Sequence, residues 1–171
     1  MLFKSRNPNK IARLEVETEL NRSSRKVSGF YEEKDFEPLP PLIRSHFIDT
    51  GFVGRPRASN LSIEYGDSFI KMNVKNPWQK VACKHYLFSN PNVRIVYLRS
   101  EILGVIPFEG RDLYKEGEGN MLGTMGRLVK LFDVTGLEMS QSALVTFLAE
   151  ILFLPMACLS DQVKWEQLDI Q

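Results

Sequence analysis

The chain has few of the residues from which metal sites and disulfide frameworks are built. Its 171 residues include two cysteines, Cys83 and Cys158, and two histidines, His46 and His85. Their spacing fits neither a zinc site nor a disulfide framework, so we expect the cysteines to be reduced thiols. The sequence therefore predicts neither a metal nor a cofactor.

An excess of charge of either sign is also missing. The 22 basic and 21 acidic side chains give a formal net charge of +1, which argues against nucleic acid as a partner. The first ten residues contain no apolar stretch of the kind found in secretory signals. We therefore expect, by default, a cytoplasmic protein.

Hydrophobic runs long enough to cross a membrane are absent as well. The longest apolar run, residues 143–159, is interrupted by Thr146, Glu150 and Pro155. Its helical part would span about 20 Å, whereas the hydrocarbon core of a bilayer is ~30 Å thick. We predict no membrane span in this chain.

What the sequence does contain is a long region of period-two alternation, from residue 57 to residue 134, which is typical of β-strands. Short turns and no helical patterns separate these strands, so an antiparallel meander is predicted rather than parallel crossover units. The predicted strands cover residues 61–65, 70–74, 80–88, 93–99, 102–108, 111–116 and 127–134, with a turn at Gly66-Asp67, a glycine-rich connection at 117–126 and a last strand at 163–168.

The glycine-rich connection does not match a dinucleotide-binding turn. Leucine stands at position 122, where that pattern needs glycine, and the segment that follows is strand-like rather than helical. We expect these glycines to serve turns or to curve the sheet.

Three helices are predicted around the sheet. Residues 8–22 and 41–49 form short helices, and a strongly apolar helix runs from Ser140, the expected N-cap, to Pro155. The predicted fold class is α+β, a curved antiparallel sheet or half-barrel packed by this one apolar helix and the short N-terminal helices. Residues 1–37 are expected to form a loosely packed arm and linker, and residues 38–171 the β domain.

Two polar residues are candidates for a site. His85 shares its predicted strand face with Val81, Cys83 and Leu87, where it either bonds to the backbone or binds a ligand. Glu150 is expected to face solvent; a half-buried carboxylate there would have a raised pKa and become a functional candidate. The candidate ligand-binding residues, from the helix stripe and the concave strand faces, are His85, Tyr97, Phe132, Phe147, Glu150 and Ile151.

Several short segments, in this order and spacing, resemble a bacterial family of uncharacterised proteins. They include Leu39-Pro40-Pro41-Leu42-Ile43-Arg44, Thr50-Gly51-Phe52-Val53-Gly54-Arg55-Pro56, Gly117-Glu118-Gly119-Asn120-Met121, Asp133-Val134-Thr135-Gly136-Leu137-Glu138 and Val163-Lys164-Trp165-Glu166. The resemblance covers residues 38–168. It implies a curved antiparallel sheet wrapped around helices, broadly like the bacterial lipoprotein carriers, and it implies no particular activity.

Relatives in that family often carry an N-terminal membrane helix and continue past the position of Gln171. Set against these relatives, either the chain is a truncated form or its sheet is completed differently, for example by a second copy of the chain, and a homo-oligomer is expected.

Three functions remain open at this point. The leading hypothesis is a non-catalytic module that binds an apolar or lipid-like ligand. The alternative is a protein-interaction or assembly domain that uses the apolar helix or a free sheet edge. A hydrolase or isomerase with His85 and either Glu150 or Asp133 as acid and base is the least favoured.

Overall fold

The structure is a computed structural model that describes residues 7–23, 27–71, 74–102, 104–126 and 128–168. Its centre is an open six-stranded sheet in which each strand pairs antiparallel with the next one along the chain. The meander and the α+β class predicted from the sequence are therefore confirmed. The strands are β1 (Asn60–Ile70), β2 (Gln79–Ser89), β3 (Asn92–Ile102), β4 (Ile106–Lys115), β5 (Glu118–Met125) and β6 (Val129–Val134).

Helices cover both faces of this sheet. They are α1 (Pro8–Arg22), α2 (Pro41–Asp49), α3 (Leu137–Glu150) and α4 (Pro155–Cys158), together with the 3₁₀ turns Glu33–Phe36 and Ile151–Phe153. Helix α3 packs on β5 and β4, whereas α1 packs on β3 and β4 from the other side. Within the described ranges, no helix is long and apolar enough to cross a membrane.

Three strand predictions were wrong, and each for a local reason. Gly66-Asp67 is not a turn but a bulge inside β1, where the register with β2 shifts between Tyr65 and Ser68. The segments predicted as strands at 102–108 and 111–116 belong mostly to one strand, β4, and the glycine-rich connection contains β5. The β4–β5 turn is only Glu116-Gly117, both with positive φ, which is the backbone that a two-residue hairpin requires. Residues 72, 73 and 127 of the predicted strands lie outside the described residues.

The start of the apolar helix and the last predicted strand also differ from the prediction. Helix α3 begins at Leu137 after Gly136, so Ser140 is not its N-cap; the Ser140 hydroxyl instead accepts a hydrogen bond from the Gly119 amide at 3.0 Å. Residues 163–168 form no strand. The Trp165 indole donates to the carbonyl of Cys158 at 3.0 Å, which holds this irregular segment against the helices.

The larger core lies between the sheet and α2, α3 and α4. Phe147 of α3 stacks on Tyr114 of β4 with ring centroids 5.0 Å apart, and Phe47 of α2 stacks on Phe36 at 5.0 Å. Burial of such aromatic side chains is the main stabilising contribution in a domain of this size. The buried members of this core are Tyr31, Phe36, Leu39, Phe47, Leu87, Tyr114, Ala143, Phe147, Ile151, Leu154, Ala157 and Cys158.

The smaller core lies under α1 on the opposite face. Ala12 and Val16 are its apolar contacts from the helix, and they meet side chains of β2 and β3. The carboxylates of Glu15 and Glu19 pair with Arg111 at 2.9 Å and Lys115 at 2.6 Å. Helix α1 is thus held by a small apolar contact and by ion pairs, while the division of the chain at residue 37 stays a prediction.

Close approach of α3 to β5 depends on Gly119. A Cβ at this position would lie 2.7 Å from the Ala143 Cβ and 2.7 Å from the Met139 carbonyl oxygen. At Gly123 the ring of Phe132 occupies the space that the Cβ of any other residue would need. These glycines therefore provide room for a helix and for an aromatic ring, respectively.

We expect Gly119→Ala to lower the free energy of unfolding by about 1–3 kcal/mol, because the added methyl group forces α3 away from β5. The matched control is Gly66→Ala, since a Cβ there meets nothing within 4 Å; its effect should stay within about 0.5 kcal/mol. Urea denaturation with comparison of midpoints at equal slope measures both. Equal stability of the two variants would contradict the close-contact interpretation.

Candidate functional site

The face of the sheet that contacts α3, called here the helix face, is organised in rows of cross-strand neighbours. One row contains Leu61, Leu87, Arg94, Tyr114 and Gly119, and its apolar side chains pack in the larger core. The row above contains Ile63, His85, Val96, Asp112, Met121 and Val134. The boundary between these two rows carries the charged groups of this face.

A buried guanidinium joins α3 to the sheet at this boundary. Arg94 is 4% exposed, and its Nε and Nη2 donate to Oε2 and Oε1 of Glu150 at 2.9 and 3.0 Å. Its Nη1 donates to Oδ2 of Asp112 at 2.5 Å. The bidentate contact between Arg94 and Glu150 fixes both the position and the orientation of the Glu150 carboxylate.

His85 completes the group. Its Nδ1 lies 3.3 Å from Oε2 of Glu150, and its ring meets the ring of Tyr65 edge to face at 5.0 Å between centroids. Nε2, on the far side of the imidazole, has no hydrogen-bond partner among the residues that the structure describes. We call His85, Arg94, Asp112 and Glu150 the charged quartet.

The environment of Glu150 overturns two expectations. Its side chain is not exposed but half-buried, at 16%, because it faces Arg94 rather than solvent. Burial pushes the pKa of Glu150 upward, but hydrogen bonds from His85 and Arg94 outweigh it, so the pKa lies below its ordinary value rather than above it. Glu150 is therefore held as a carboxylate.

Above the quartet the helix face carries mostly apolar side chains. The next row contains Tyr65, Cys83, Leu98 and Phe132, and the last contains Val81, Phe108 and Met125 together with Ser68 and Ser100, whose hydroxyl donates to the carbonyl of Lys80. We call the seven larger side chains of these two rows, Tyr65, Cys83, Leu98, Phe132, Val81, Phe108 and Met125, the apolar rows. Tyr65 is 38% exposed, and Cys83, Leu98, Met125 and Phe132 each keep part of their surface accessible. Burial raises the pKa of the Cys83 thiol, which is therefore uncharged at neutral pH.

The predicted site residues are divided between the two faces. His85 and Glu150 are in direct contact, and Phe132 lies in the apolar rows on the same face. Phe147 and Ile151 are fully buried in the core under α3. Tyr97 lies on the opposite face, where it lines a cleft of about 370 Å³ with Asn9, Ala12, Arg13, Val16, Glu17, Lys84 and Tyr86.

Sequence reasoning missed Arg94 and Asp112. Both occupy strand positions in register with apolar neighbours: Arg94 pairs with Leu87 and Tyr114, and Asp112 pairs with Val96 and Met121. The available signal was the alternation itself, because it places these two charges on the buried face of strands that are otherwise apolar. Asp133, the other acid proposed for a His85-dependent enzyme, is exposed on β6.

The sequence pattern over residues 29–171 matches a family of unknown function, DUF6544. The chain belongs to this family. Membership confirms the resemblance to a family of uncharacterised proteins that the short segments indicate, and it extends the match to Tyr31 and Phe36 of the core; α1 precedes the matched region. No curated protein and no solved structure matches the chain.

The lowered pKa of Glu150 predicts how the pH dependence of stability changes in Glu150→Gln. A carboxylate whose pKa is lower in the folded state than in the unfolded state stabilises the fold at pH values above the unfolded-state pKa. This contribution is lost as the pH falls through the folded-state pKa. The difference in unfolding free energy between the wild type and Glu150→Gln should therefore shrink between about pH 6 and about pH 3.

Urea denaturation at a series of pH values measures this difference. Glu17→Gln is the matched control, because the Glu17 side chain is 60% exposed on α1, and its effect should remain within about 0.5 kcal/mol. A wild-type advantage over Glu150→Gln that is the same at every pH would mean that the pairing seen in the structure does not act in solution.

Proposed function

We propose that the chain is a non-catalytic binding module for a small apolar ligand, which lies on the apolar rows of the helix face. The observation that carries the proposal is that partly exposed apolar side chains share one sheet face with the charged quartet. Small-molecule sites typically combine apolar walls with a few fixed polar groups in this way.

The arrangement of the polar groups supports orientation of a ligand. Arg94 and Glu150 are locked to each other by two hydrogen bonds, so they hold His85 in place with Nδ1 toward the carboxylate. Nε2 then points away from Glu150 and can exchange one hydrogen bond with a ligand. Apolar contact would provide the affinity, roughly 25 cal/mol per Å² of area removed from water, and this bond would fix the orientation.

The same groups are poorly suited to catalysis. The pKa of Glu150 is lowered by its partners, and a weakly basic carboxylate is an inefficient general base near neutral pH. The pKa of the Cys83 thiol is raised by burial, which leaves little of the nucleophilic thiolate. Both shifts favour binding over acid–base or covalent chemistry.

Uptake of the neutral fluorescent probe N-phenylnaphthylamine tests the proposal. We expect the wild type to bind the probe and Phe132→Ser to bind it at least about tenfold more weakly, because a buried phenylalanine side chain contributes about 1.5–3 kcal/mol. Phe69→Ser is the matched control, since Phe69 is 57% exposed and pairs with Lys80, outside the helix face. His85→Leu keeps the wall apolar and should weaken binding of ligands that need the polar contact.

Circular dichroism of each variant separates loss of binding from loss of fold. A folded wild type that takes up no probe, and that yields no lipid by mass spectrometry under native conditions, would end the proposal. If Phe69→Ser and Phe132→Ser weaken probe binding equally, the probe does not bind specifically at the apolar rows.

A second candidate function is assembly with another copy of the chain through β6. This strand forms one edge of the sheet, and its side chains Val129, Leu131 and Val134 are 52%, 45% and 44% exposed. An edge strand with exposed apolar side chains is a template for pairing with a further strand. Antiparallel pairing of β6 with a second β6 across a two-fold axis would bury these residues.

Sedimentation velocity over a range of protein concentrations tests this candidate. We expect the wild type to dimerise and Leu131→Lys to remain monomeric, because a lysine on the edge opposes strand pairing. Leu42→Lys is the matched control, since Leu42 is 78% exposed on α2, away from β6, and it should dimerise like the wild type. A monomeric wild type at high concentration would contradict assembly through this edge.

A further inference from the structure

The charge balance of the quartet bears on the class of ligand, an inference that rests on the binding function proposed above. Two carboxylates, Glu150 and Asp112, face a single guanidinium, Arg94. With a neutral imidazole at His85 the group carries one surplus negative charge, and with a protonated imidazole it is neutral. In neither state does it offer a free positive charge.

The rest of the helix face does not correct this balance. At the described, paired positions that β1 to β5 place on this face, Arg94 and Asp112 are the formally charged residues. All three donor nitrogens of Arg94 already bond to carboxylate oxygens. The carboxylate of a fatty acid would therefore lie near two like charges without a free cation to pair with.

A hydrogen-bond acceptor is left over instead. Oδ1 of Asp112 is buried and has no hydrogen-bond partner among the described residues, although its other oxygen is bound to Arg94. An unpaired buried acceptor favours a donor that can reach it. Asp112 lies in the row next to the apolar rows, two residues along β4 from Gly110, which pairs with Leu98; the chain of a donor head group at this position can therefore extend over the apolar rows.

We propose that the ligand is a long apolar chain that ends in an amine, whose ammonium group lies beside Asp112 and His85. The two carboxylates provide the counter-charge, the unpaired oxygen of Asp112 accepts a hydrogen bond, and the apolar rows cover the chain. An ammonium group in this position makes the charge of the quartet balanced.

Displacement of N-phenylnaphthylamine by three ligands of equal chain length tests the proposal. Decylamine, decanol and decanoic acid are compared on the wild type at about pH 8, where an ordinary aliphatic amine is charged. We expect decylamine to bind about tenfold more tightly than decanol, and decanoic acid to bind most weakly, since charge pairs near a protein surface are worth about this much or more.

Asp112→Asn is the decisive variant, because it removes the surplus charge while Arg94 keeps its two bonds to Glu150. This variant should lower the affinity for decylamine to that for decanol, and it should leave the affinity for decanol unchanged. Glu17→Gln on the exposed side of α1 removes one negative charge from the molecule away from the helix face, and it should preserve the preference for decylamine.

The outcomes separate the two proposals. If all three ligands bind but decanoic acid binds as well as decylamine, the amine assignment is wrong while the binding function stands. If Glu17→Gln reduces the preference as much as Asp112→Asn does, the preference reflects net charge and the assignment also fails. If no ligand binds to the folded wild type, both proposals fail. The ranking on the wild type alone decides the assignment should Asp112→Asn not fold.

Discussion

The buried guanidinium of Arg94 is the constraint on which the architecture of the helix face depends. A charge that is 4% exposed must be paired and hydrogen-bonded, because leaving it alone in the interior would cost several kcal/mol. One partner, Asp112, comes from the neighbouring strand, but the other, Glu150, comes from the last residue of α3. The pairing therefore requires that this helix end lie over the sheet at β3, and it specifies the position of the helix more than it adds stability.

The other end of α3 is positioned by contact rather than by charge. Gly119 allows the backbone of the helix to approach β5, and the Ser140 hydroxyl accepts its amide hydrogen. Between these two fixed ends, Phe147 stacks on Tyr114 and closes the core. A helix held in this way covers the lower part of the sheet face and leaves the apolar rows above it partly open, so the core and the candidate site are two consequences of one placement.

Much of the fold could be predicted from local sequence, and the site only in part. The helices at 8–22 and 41–49 and the strand β2 follow from periodicity and from proline and glycine at their ends. Helical spacing groups Glu150 with Thr146 and so predicts an exposed side chain, and nothing local signals the arginine that Glu150 meets 56 residues earlier in the chain. The face on which Tyr97 lies depends on the register between β2 and β3: the two-residue turn between Ser89 and Asn92 places Val96, not Tyr97, opposite His85.

The bulge at Gly66-Asp67 has a consequence for how far copies of this protein could associate. It lies within β1, the edge opposite β6, and it breaks the even row of free amides and carbonyls that an incoming strand would need. A sheet with two regular edges can add molecules at both ends and grow into a fibre. With one edge interrupted, pairing of two copies at the other edge, as proposed above for β6, would end at two molecules, because the irregular β1 offers no regular template for a third.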